Sequence, residues 1–144
     1  MENESKFGKI LSELITEAKT DNKDLASAIG VSATTVSRWR AGTEGIELPN
    51  LVALCKFFGC SLDYLIGRRE HDQKPSNFNT QNFGKQIRKV MERHGISSYK
   101  FRKDTGLGGR ILYDWEKGAD PKLNTLIKLA DYFKCSLDEL VGLE

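Results

Sequence analysis

DLASAIGVSATTVSRWRAG, residues 24–42, contains two short helical segments punctuated by a single glycine. Asp21 is a candidate N-cap for the first, which runs from Asn22 to Ile29. Gly30 can adopt positive φ and so end it. Ser32 caps a second segment that ends near Arg40. Ala26 lets the two helices approach, Gly30 makes the turn, and Val36 and Trp39 lock the later helix inward. A longer helix precedes the pair, from about Ser5 to Lys19. Its Phe7, Ile10, Leu11, Leu14, Ile15 and Ala18 follow the i, i+3, i+4 spacing of a buried stripe. Two more helices follow. One runs from about Pro49 to Phe58, with proline at its first position. The other is capped by Ser61 and carries Leu62, Leu65 and Ile66. No segment shows strand alternation, so this is an all-α unit of five short helices sharing one core.

The unit occurs twice. FGKILSEL, from Phe7, recurs as FGKQIRKV from Phe83, and Trp39 and Gly42 recur as Trp115 and Gly118, all at an offset of 76. LVALCKFFGCSLDYLIG, from Leu51, recurs as LIKLADYFKCSLDELVG from Leu126 at an offset of 75, so the first copy holds one extra residue between Gly42 and Leu48. A self-similarity of this kind decides the organisation of a chain before any residue-level reading does. The segment GRREHDQKPSNFNTQN, Gly67 to Asn82, is polar, lacks apolar periodicity and contains Pro75, which is the signature of a linker. The expected organisation is a domain over 1–67, a linker over 68–81 and a second domain over 82–144.

Composition excludes more than it proves. With a net charge of +2 over 144 residues, bulk charge is a weak pointer to nucleic acid. Residues 1–70 carry 9 basic and 10 acidic side chains, residues 71–144 carry 13 and 10. Any affinity for a polyanion must come from where charges sit. The polar, acidic N-terminus is no secretory signal, no apolar run is long enough for a membrane helix, and a cytoplasmic protein is expected. Three cysteines, Cys55, Cys60 and Cys135, argue against a disulfide framework. Cys60 and Cys135 are expected as small core residues. They form no ligand spacing with His71 or His94, so no metal and no cofactor is expected.

Helix, tight glycine turn, helix is the spacing of a helix-turn-helix. Asp24–Gly42 resembles that motif in the Cro and phage-repressor family, the lambda-repressor-like or XRE-type fold. CSLDYLIG, Cys60–Gly67, is similar to the family's closing helix, and Leu25, Ala26, Gly30, Val36 and Trp39 match its packing positions. The resemblance covers both copies. It implies two tandem lambda-repressor-like domains forming an internal pseudo-dimer, with each third helix in the major groove of double-stranded DNA. About 13 free linker residues span up to ~43 Å, enough to set two domains one DNA turn apart, ~34 Å.

If Val36 and Trp39 face the core, the opposite stripe of the third helix is Ala33, Thr34, Ser37 and Arg38, two i, i+4 pairs. Arg38 is the candidate for direct readout, because arginine pairs bidentately with guanine O6 and N7. Thr34 and Ser37 can bond base or phosphate, and Ala33 can touch a thymine methyl. Asn22, Ser32 and Thr35 fall at helix N-termini, where free N–H groups favour phosphate oxygens. Arg40 stands where the family usually has glutamate and is expected to reach the DNA backbone rather than an internal ion pair. The competing reading of the Ser/Thr stripe is an ordinary solvated surface. The loop TEGIE, Thr43 to Glu47, is acidic and a poor phosphate binder.

The second copy, SYKFRKDTGLGGRILYDWEKG from Ser98 to Gly118, keeps the turn glycine as Gly106 and the inward positions as Leu112 and Trp115. It departs twice. Arg102 replaces Ala26 at a close helix contact, and Gly108 and Gly109 begin the third helix where a cap is expected. The exposed stripe is then Gly109, Arg110, Tyr113 and Asp114, with Asp114 able to orient Arg110 onto guanine or to accept from cytosine N4. The competing reading of that pair is a surface ion pair. Lys117 and Lys122 are expected at phosphates, and Ser98 among the DNA contacts.

These readings converge on a sequence-specific DNA-binding regulator, a repressor that occludes a promoter or operator, of the kind the resemblance associates with phages and mobile elements. Two different reading faces in one chain favour an imperfect or asymmetric operator, bound by a monomer with its internal pseudo-dimer. A further dimer is left open. The alternative is a protein-binding module on the same scaffold, antitoxin-like or phage-encoded, with DNA bound by the N-terminal domain alone. An enzyme is disfavoured: no phosphate loop, metal spacing or nucleophile–base set occurs.

Overall fold

The computed structural model describes residues 2–42, 45–68, 78 and 82–143. The expected linker lies outside them except at Arg68 and Phe78, as do Thr43 and Glu44 of the acidic loop. The described residues form α1 (Glu2–Glu17), α2 (Asn22–Ile29), α3 (Ala33–Arg40), α4 (Leu48–Phe58), α5 (Leu62–Ile66), α6 (Phe83–Arg93), α7 (Ser98–Thr105), α8 (Ile111–Glu116), α9 (Leu123–Phe133) and α10 (Leu137–Val141).

Short side chains mark most of the boundaries. Asp21 accepts from the Asp24 amide, Ser32 from Thr35, Ser61 from Tyr64, Ser97 from Lys100 and Ser136 from Glu139, each satisfying a donor the helix cannot. Gly30 closes α2 at φ +82°, a left-handed turn that favours glycine. Some expectations shift. The first helix spans Glu2–Glu17 rather than Ser5–Lys19, leaving Ala18 exposed in the turn beyond it. α4 begins at Leu48, one residue before Pro49. Cys60 is buried as expected, whereas Cys135 is only half-buried.

Each half closes around its own apolar centre. Phe7, Leu11, Leu25, Val36, Leu51 and Leu65 are buried in the first, Ile87, Phe101, Leu112, Leu126, Phe133 and Leu140 in the second. The second centre is richer in aromatics. Phe101 replaces Leu25, stacks on Phe133 at 6.1 Å and meets Trp115 edge-on at 6.4 Å.

The two centres meet along α5 and α10, through contacts that repeat by pseudo-two-fold exchange. The amides of Leu62 and Asp63, at the start of α5, donate to the Asp138 carboxylate at 2.9 and 3.1 Å. The amides of Leu137 and Asp138, at the start of α10, donate to Asp63 at 2.9 Å each. Each helix thus caps the other across the seam. A second exchange joins the loops ahead of α4 and α9: Leu48 N–H donates to Pro121 at 3.0 Å and Leu123 N–H to Ile46 at 2.9 Å, pairing Glu47 with Lys122 as an antiparallel bridge. Arg68 adds a contact without a counterpart, with Nη1 3.1 Å from Asp131 of α9 and Nε 3.7 Å from Asp63.

Asp63 and Asp138 are 2% and 3% exposed. Burial, and then the hydrogen bond that its protonated form gives to the Asp63 carboxylate, raises the Asp138 carboxyl from 3.8 to about 7. A folded-state value above the unfolded one means that the folded chain holds the extra proton. The stabilisation is fully present below the unfolded value and is lost as pH rises through about 7. Thermal melting followed from about pH 5 to about pH 8 should therefore show a falling midpoint in the native chain. Asp138→Asn, which mimics the protonated carboxyl, should flatten that fall. An equal fall in both proteins would count against this assignment.

Candidate nucleic-acid interface

α3 rests on α1 and α2 and turns its outer face to solvent. Val36 and Trp39 are buried, while Ala33, Thr34, Ser37 and Arg38 are exposed together on the opposite side. Ser32 and Thr35 share the helix start, their hydroxyls 2.8 Å apart. The predicted reading stripe of the first half is thus brought together on one exposed face.

Two expected backbone contacts are placed differently. Arg40 does not extend outward: it is half-buried, with Nε donating to Ser12 Oγ at 3.0 Å and Nη1 to Asn22 Oδ1 at 2.7 Å. Trp39 is anchored in the core, so the next residue on the helix is turned back over α1 and the first residue of α2. Asn22 is consequently held through its amide oxygen.

The approach of α1 to α3 depends on a glycine that sequence reasoning passed over. A methyl group at Gly8 would stand 2.6 Å from the Arg40 carbonyl oxygen and 3.0 Å from that of Trp39. Gly84 occupies the same place in α6, against the backbone of Glu116. The signal was available: glycine recurs within both FGK segments, and at Gly8 it sits inside a helix, where it costs ~1 kcal/mol.

The second half differs as its sequence suggested, and further. α8 begins only at Ile111, with Arg110 at its N-cap position and no side-chain cap. Gly108 and Gly109 supply no capping oxygen, so both precede the helix. The expected stripe is split, with Tyr113 and Asp114 on the helix and Gly109 and Arg110 in the turn before it. Arg110 nevertheless folds back, its Nε 4.0 Å from Asp114 Oδ1 and its guanidinium 4.9 Å from the Tyr113 ring. Lys117 Nζ lies 5.3 Å from that ring, so two cations accompany an exposed tyrosine. Lys122 pairs through its backbone with Glu47, and its side chain is exposed.

Arg102 is half-buried on α7, and the close α2–α3 packing is not repeated between α7 and α8. A guanidinium cannot enter where the Ala26 methyl fits, and the larger Phe101 is fully buried where the first half has Leu25. α7 is tied instead to α9: Tyr132 donates to Asp104 Oδ2 at 2.6 Å, and Lys100 lies 3.0 Å from the same carboxylate. The tyrosine hydrogen bond and then Lys100 hold the Asp104 carboxyl below its usual value, while burial and Asp104 push Tyr132 up to about 12. Ser98, at the start of α7, accepts from Arg88 Nη1 at 2.8 Å, and Arg88 also binds Glu116 through Nε and Nη2 at 3.1 and 2.9 Å.

Among the described residues no group of three or more His, Cys, Asp and Glu side chains could hold a metal ion, and no helix is long and apolar enough to cross a membrane. A family model of the Cro/C1-type HTH DNA-binding domain matches the chain twice, over residues 10–69 and 86–144. No curated protein and no solved structure matches it.

Gly8→Ala should force α1 and α3 apart and lower stability by about 1–3 kcal/mol, measured by urea unfolding. An unchanged midpoint would show that the crossing has slack that these distances do not suggest.

Proposed function

Since the chain belongs in both halves to the Cro/C1-type HTH DNA-binding domain family, we propose that it is a sequence-specific double-stranded DNA-binding regulator, and a repressor that acts by covering a promoter or operator. The observation that carries this reading is the pairing of two outward third helices in one body through the reciprocal caps at Asp63 and Asp138. Residues 1–67 and 82–144 act as its two domains in the cytoplasm. α3 enters the major groove, with Arg38 on a guanine and Ala33, Thr34 and Ser37 on neighbouring base edges. Ser32, Thr35 and the start of α3 hold phosphates.

The second domain does different work. The late start of α8 and the glycines before it leave fewer side chains to reach base edges. Arg110, Lys117 and Tyr113 suit the sugar–phosphate backbone, which carries affinity and salt dependence rather than sequence information. Repression is steric, and the operator is asymmetric, with one half-site read closely and the other held.

Selection from a randomised duplex pool, followed by footprinting, tests this. The expected site has one well-defined half and one degenerate half. A perfect palindrome protected equally on both sides overturns the division of labour, and failure to enrich any duplex overturns DNA reading itself. Arg38→Ala should cost about 1–3 kcal/mol of binding and relax preference at one base pair. Uniform weakening across all sequences would assign Arg38 to phosphate instead.

A further inference from the structure

The two halves differ by a compensated exchange at the crossing of their first three helices. In the first half the guanidinium belongs to Arg40 on α3 and bridges Ser12 of α1 and Asn22 of α2, at 3.0 and 2.7 Å. In the second it belongs to Arg88 on α6 and bridges Glu116 of α8 and Ser98 of α7, at 2.9 and 2.8 Å. Ser12 corresponds to Arg88, Asn22 to Ser98 and Arg40 to Glu116, all at the repeat offset of 76. The residue types are inverted, yet a planar fork of donors ties the same three helices together in both copies. A lysine presents a point charge on a flexible stem and does not reproduce such a fork.

We infer that Arg40 is a positioning residue for the reading helix, fixing α3 on α1 and α2, and that Arg88 performs the same task in the second half from the opposite helix. The inference rests on the DNA-binding reading above for its consequence, and on the hydrogen-bond geometry for its substance. Arg40 acts through neighbours: it holds the end of α3 against α1 and turns Asn22 so that its amide oxygen points inward, leaving the amide N–H groups for a phosphate. The copies differ in charge. Arg88 is paired with Glu116, whereas among the described residues Arg40 bridges two neutral oxygens.

The test transplants one arrangement into the other half of the full-length chain, comparing Arg40→Glu, Arg40→Lys and the double variant Ser12→Arg with Arg40→Glu. Backbone amide exchange in α3, without DNA, should accelerate in both single variants and return to native rates in the double variant. Binding to the duplex that the native chain selects from a randomised pool should weaken about tenfold in each single variant. At low salt the double variant should recover to within about threefold. Arg40→Lys behaving as the native chain would overturn the inference in favour of charge alone. Exchange restored without binding would assign Arg40 to direct DNA contact. Should the native chain select no duplex while the exchange pattern holds, the DNA reading fails and the positioning role stands.

Discussion

Asp63 and Asp138 each take a carboxylate out of water and find two backbone donors at the start of a helix in the opposite half. Neither helix is long, at five residues each, and neither carboxylate would tolerate burial without those donors. The seam is therefore conditional in both directions: α5 needs Asp138 and α10 needs Asp63. The remaining geometry follows from it. α5 packs on α1 and α10 on α6, and those helices carry the third helices through the crossings at Gly8 and Gly84. A third helix is thus positioned through a chain of rigid elements that begins at a pair of carboxylates.

The energetic character of the seam is polar where the cores are apolar. Leucine is the commonest buried residue, but apolar contacts do not choose between alternative pairings of two similar halves. Paired carboxylates with fixed donors do choose, because a shifted register would leave charges and amides without partners. Arg68 has no counterpart in the second half, where Leu143 is buried at the corresponding position, so the exchange is not perfectly symmetric.

Much of this was legible in the sequence because it is written in local chemistry. Asp21, Gly30, Ser32 and Ser61 each act within three or four residues, so the boundaries of α2, α3 and α5 follow from short-range rules. The stripe from Ala33 to Arg38 was legible because Val36 and Trp39 fix the opposite side. What escaped was long-range. The inward turn of Arg40 depends on Ser12, 28 residues away, and the role of Asp63 depends on a helix 75 residues away. Asp63 and Asp138 each stand in the first turn of their own helix and bond the start of the other. The late beginning of α8 was half legible: Gly108 and Gly109 announced a weak start, but not that Arg110 would fall outside the helix.

The reciprocal caps lie within a single polypeptide, and that sets how the protein responds to scarcity. Two separate subunits must meet before they can act together, so at few copies per cell they are mostly apart. Here the partner's local concentration is set by the tether and does not fall with dilution. The halves are synthesised in equal number and cannot pair with a wrong sibling in place of their own complement without first opening the seam. Association between the two halves should therefore not depend on the concentration of the protein.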